Sequence, residues 1–126
     1  GDGNSEAARG IAAVRAFLEA HGESRFTPWD ADEETRQRTI NRAGFRKKED
    51  DGQWFYVLQG AYQKEVCKGF DHKQVSEALR AGGMLHISGE TTGKGNAKRY
   101  TTQSRLPSIG RTRCYLITPA IWEGDA

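Results

Sequence analysis

Trp54-Phe55-Tyr56-Val57-Leu58 is a run of five large apolar or aromatic residues with no charged residue to mark a solvent side. In a strand, alternation sends Trp54, Tyr56 and Leu58 to one face and Phe55 and Val57 to the other. Both faces then need cover, so this strand belongs inside a sheet with packing on each side. A chain of 126 residues has the size of one ordinary domain and can bury such a core. Asp51-Gly52 precedes the run and is a turn signal. It predicts a β-hairpin between residues 39–47 and 53–58.

Helical spacing dominates elsewhere. Ile11, Val14 and Leu18 fall at three- and four-residue steps, predicting a first helix over residues 5–21 that Ser5 can cap and Gly22 ends. Residues 25–29 read as a short extended piece stopped by Pro28, with a helical turn at 33–38. A second helix is predicted over 61–68, with Gly69 as its stop. A third covers 72–81, capped by Asp71, with Val75, Ala78 and Leu79 inward and Gly82-Gly83 at its end. Strands follow at 84–87, 98–106 and 111–118, and Pro119 to Trp122 turns back onto the core.

Helix, strand, helix, short turn, helix, strand, glycine-rich loop and strand is the order of a winged helix. The expected fold class is therefore α+β: a winged helix-turn-helix with an additional N-terminal helix and β-hairpin. In that arrangement the 72–81 helix enters the DNA major groove. Lys73, Gln74 and Arg80 would face outward from it, able to meet adenine, guanine or phosphate. Thr92-Gly93-Lys94-Gly95-Asn96-Ala97-Lys98-Arg99 is the expected wing, with Lys94, Lys98 and Arg99 as its cations and Arg105 and Arg111 as further contacts. Glu77, on the same helix face, opposes phosphate.

Charge is segregated, although the net is only +2. Residues 1–34 carry eight acids against three arginines, a net of −5, which leaves +7 for the rest. Residues 35–48 hold Arg36, Arg38, Arg42, Arg46, Lys47 and Lys48 without an acid. Residues 94–113 likewise hold Lys94, Lys98, Arg99, Arg105, Arg111 and Arg113. Such separation suits one face turned to a polyanion; two solvated basic loops would produce it as well.

Other chemistries find little support. The 89–95 stretch has its glycines three residues apart where a phosphate-binding loop has four, and Gly95 stands where a magnesium-binding Ser or Thr is required. His21, His72, His86, Cys67 and Cys114 show no paired metal-ligand spacing. The acids at 30–34 and 49–51 have no companion histidine, so the fragment is read as non-catalytic and without a cofactor. Two distant cysteines suggest reduced thiols and a cytoplasmic setting, and no apolar run is long enough to cross a membrane.

Phe17-Leu18-Glu19-Ala20-His21-Gly22-Glu23-Ser24-Arg25-Phe26, Asn41-Arg42-Ala43-Gly44-Phe45-Arg46, Glu65-Val66-Cys67-Lys68-Gly69-Phe70-Asp71 and Arg111-Thr112-Arg113-Cys114-Tyr115 carry a resemblance. They resemble the C-terminal region of helicase- or primase-like ATPases of phages and integrative mobile elements, a domain-of-unknown-function family. The resemblance runs from about Ala7 to Trp122. It implies an ATPase module upstream in the parent chain and a task in replicating the element. Phe26, Phe45, Phe70 and Tyr115 would hold the fold. Residues 7–122 are thus expected to form one domain, with 1–6 a remnant or disordered start and 123–126 a tail. The expected partners are duplex DNA, in preference to single strands, and upstream domains of the same chain. An alternative is a protein-interaction or oligomerisation module built on Trp54, Phe55 or Trp122. A third is RNA or single-strand binding, which needs Tyr56, Tyr100 or Tyr115 exposed for stacking.

Overall fold

The 54–58 run lies inside a sheet covered on both faces. The computed structural model describes residues 2–39, 41–87 and 100–123, with backbone alone for 2–5. The run forms most of β3 (Gly52–Leu58), joined by a tight turn to β2 (Gly44–Glu49) in the predicted hairpin. Phe55 and Val57 enter the main core; Tyr56 and Leu58 pack on a second cluster of Phe45, Leu106 and Cys114. Trp29 closes over that second face, 4.7 Å from the Tyr56 ring and 6.3 Å from Phe45.

Helix α1 (Asp2–His21) begins before the predicted cap at Ser5. It buries Val14 and Leu18, as its spacing requires. Gly10 lets it cross closely over α4 (His72–Ala81), since a Cβ there would meet Val75 Cγ2 at 2.8 Å. The 25–29 piece supplies β1 (Phe26–Pro28), which pairs in parallel with β2 at the sheet edge, where Pro28 is tolerated. Helix α2 (Glu33–Arg38) follows, its first turn capped by the Asp32 carboxylate, which accepts from Thr35 N at 2.8 Å.

The predicted 61–68 helix is instead a short α3 (Gln59–Ala61) running into a π-helical turn, Tyr62–Val66. Cys67 N donates to Tyr62 O, five residues back, at 2.9 Å. Tyr62, at the start of this turn, stacks on Tyr115, with centroids 3.6 Å apart. The buried Tyr62 hydroxyl lies 2.7 Å from Ser76 Oγ, which itself donates to His72 O. Tertiary stacking and this hydrogen bond accompany the departure from regular helix.

Among the described residues the strands run β1-β2-β3-β6-β4, with β5 (Thr102–Leu106) also on β6 (Gly110–Ile117). Cys114 and Leu116 pair with β3 on one side, so β4 (Leu85–His86) and β5 must share the other edge. Paired residue numbers total 202 across β4 and β6 and 216 across β5 and β6, a difference of fourteen. The two pieces are therefore one edge strand carrying a fourteen-residue excursion. This corrects the expected wing: the 88–99 stretch does not link a strand to its own hairpin partner. The hairpin turn on β6 is at residues 107–109, and the strand expected from residue 98 starts at Thr102.

Cys67 and Cys114 are free, buried, and in different clusters on opposite sheet faces. Burial pushes both thiols up to about 11. At pH 8 only about one in a thousand would be thiolate, the reactive form. Ellman's reagent is expected to label neither in the folded protein and both in urea; rapid labelling of the native chain would contradict this packing.

Candidate nucleic-acid interface

Asp71 opens α4 by accepting from Lys73 N at 3.0 Å, and Gly83, at φ +76, lets the chain turn away after it. Val75, Ser76 and Leu79 are buried, so the helix is fixed with Lys73, Gln74, Arg80 and Ala81 exposed. Two of the predicted contacts, Lys73 and Gln74, have their side chains open to solvent. Arg80 differs. Its Nε donates to Glu77 Oε1 at 3.1 Å, and a second nitrogen pairs with Oε2. This bidentate pairing at i,i+3 raises the Arg80 pKa and commits its charge to the helix.

Tyr100 is a further partner of Glu77. The Tyr100 hydroxyl donates to its Oε1 at 2.9 Å, and Tyr100 packs on the main core, as does Ile87. Desolvation, reinforced by the Glu77 hydrogen bond, raises the Tyr100 pKa. The described chain thus leaves at Ile87 and returns at Tyr100, and both ends are rooted in the core that α4 helps to build. Lys94, Lys98 and Arg99 lie between them, outside the described residues.

Arg105 and Arg111 sit directly opposite one another across β5 and β6, both exposed. Arg113, which was not singled out as a contact, donates to Thr101 Oγ1 at 3.3 Å. No described hydrogen bond, ion pair or shared cavity joins this hairpin to Lys73 and Gln74. The predicted contacts therefore form two groups: one on α4, one at the hairpin.

The 35–48 basic stretch is largely consumed by the fold. Arg42 donates to Thr27 Oγ1 and Arg36 O and lies 4.8 Å over the Phe45 ring. Arg46 donates to Phe26 O. Arg38 pairs with Glu34, and Lys47 pairs with Glu49 while capping the Trp29 ring. Sequence spacing could have shown the i,i+4 pair and the i,i+2 pair on β2; the rest depends on tertiary contact.

A different feature also borders α4. A cavity of about 490 Å³ between it and the start of α1 is lined by Ala7, Phe70, Val75, Ala78 and Ala81, with Glu6, Asp71, Lys73, Gln74 and Glu77 around them. Its walls are mainly apolar carbon, an unusual surface for meeting phosphate. Of the stacking candidates, Tyr115 is buried against Tyr62 and Tyr56 and Tyr100 are half-buried. Phe55 is buried and Trp54 half-buried, which leaves Trp122 exposed at 40%. Phe26, Phe45 and Tyr115 are core residues, as a fold-holding role demands, and Phe70 is half-buried. No group of three or more potential metal ligands occurs among the described residues, and no helix there is long and apolar enough to cross a membrane.

Comparison with protein-family models, curated proteins and solved structures finds no match to this chain.

Proposed function

We propose that this chain is a non-catalytic DNA-binding domain of winged-helix type, with α4 as its groove-entering helix. The observation that carries the reading is the hydrogen bond from Tyr100, which follows the basic 88–99 stretch in sequence, to Glu77 on α4. Tyr100, next in sequence to Arg99, thus sits one helical turn from the exposed Lys73 and Gln74. Strand order gives further support. In a winged helix the strand before the helix pair and the strand after it flank the last strand; here β3 and the β4–β5 edge flank β6. The added β1, α2 and β2 widen the sheet on the far side.

With the resemblance to helicase- or primase-like ATPases of mobile elements, the parent protein would be a cytoplasmic replication motor that this domain anchors on DNA. Fluorescence anisotropy with labelled duplex should give micromolar or tighter binding at low salt. About six phosphate contacts correspond to a slope of log K on log salt near −5. Absence of salt-sensitive binding would remove the reading. The alternative of a protein-docking module is favoured by one observation, the apolar cavity against α4. Ala7→Glu, on the α1 side of that cavity, should abolish docking of a partner and leave duplex binding in place.

A further inference from the structure

Eight described arginines have a partner. Arg9, Arg25, Arg38 and Arg80 pair with glutamates; Arg15, Arg42 and Arg46 donate to backbone carbonyls; Arg113 donates to Thr101. Three have neither ion pair nor hydrogen bond from their guanidinium among the described residues: Arg36, Arg105 and Arg111. Two of them share a site. Arg36 and Arg105 line one cleft between α2 and the 107–110 turn, and Arg111 is the cross-strand neighbour of Arg105.

Such placement is costly. Like charges directly opposite in a ladder repel, and Arg36 is half-buried with its Nε sealed from solvent and without an acceptor. Buried donors are ordinarily satisfied, and an exception asks for a reason. One acid, Asp30, borders the same cleft, so the arginines outnumber it. Trp29 forms a wall, with the Tyr56 ring and Lys47 against its indole. The chemistry offered is fixed guanidinium beside apolar carbon, suited to a compact anion with several acceptor oxygens.

We propose that the cleft between α2 and the β5–β6 turn binds phosphate groups through Arg36 and Arg105. It does not depend on the α4 reading. None of the exposed α4 residues Lys73, Gln74 and Arg80 lines the cleft. The phosphate could come from a nucleic-acid strand or from a free nucleotide.

The test titrates the full chain with pyrophosphate, with oligothymidylate lacking a terminal phosphate, and with its 5′-phosphorylated form, following the Nε–H signals of Arg36 and Arg105 by NMR. Both signals are expected to shift with pyrophosphate in the native protein. Arg36→Gln and Arg105→Gln should each weaken binding about tenfold or more. Arg38→Gln, whose side chain pairs with Glu34, should not change it, and Asp30→Asn should tighten it. Equal response to both oligonucleotides assigns the site to internal phosphodiesters, and a response to the 5′-phosphorylated one alone assigns it to terminal phosphate or nucleotide. Static Nε signals at millimolar pyrophosphate, or an equal loss in Arg38→Gln, would overturn the proposal. Duplex affinity that persists in Arg36→Gln separates its failure from that of the α4 reading.

Discussion

Lys94→Ala/Lys98→Ala/Arg99→Ala protein is expected to bind duplex DNA on the order of a hundredfold more weakly than the parent. Each cation lost removes a charge-assisted contact of roughly 1 kcal/mol or more at such a surface. Three lost phosphate contacts should also flatten the salt slope from about −5 to about −3. Folding should be untouched, because the β4–β6 and β5–β6 pairings and the Tyr100–Glu77 hydrogen bond all lie outside the substituted positions. Anisotropy at two salt concentrations, beside a thermal melt, reads both quantities. Parent-like affinity in a folded variant would remove this loop from the interface.

Gly44→Ala should be the most damaging of the small substitutions. Gly44 opens β2, opposite Phe26 on one side and Val57 on the other. A Cβ there would stand 1.9 Å from the Tyr56 carbonyl oxygen and 3.1 Å from Phe26 Cε2. The first obstacle is backbone and cannot rotate away. Either β2 parts from β3, which joins the two clusters, or the chain fails to close its sheet. The expected loss is about 3 kcal/mol or more, at the upper end for overpacking. Gly60→Ala is the matched control, since nothing lies within 4 Å of a Cβ there, and alanine favours the helical turn. Urea denaturation should show a lower midpoint for the first and an equal or higher one for the second. Similar midpoints would mean that the β2–β3 contact is looser than described.

Local chemistry made much of the fold legible. Asp71, the Val75 and Leu79 spacing and Gly82-Gly83 define α4 at both ends, and Asp51-Gly52 marks the β2–β3 turn. The π-helical turn is stacked on Tyr115, more than fifty residues away, and the parallel pairing of β1 depends on where β2 lies. Neither leaves a local trace. Charge was the least transparent signal. The 35–48 stretch reads as an open basic patch, but Arg42 and Arg46 are tied to backbone and side-chain oxygens around β1 and α2. Arg80 looked free although Glu77 stood three residues away, a spacing that already allows pairing. Conversely, nothing in the order of residues shows that Arg36 and Arg105 border one cleft; the tertiary fold does so.

The interrupted edge strand has an evolutionary corollary. In the register shared with β6, one residue between His86 and Thr102 would suffice to splice the two pieces into a single uninterrupted run. The intervening segment is a parenthesis, and its length adds only logarithmically to the entropy of closing it. Its composition and reach can be rewritten from one descendant to the next while the ladder that frames it stays the same, so ligand preference can drift without a toll on folding.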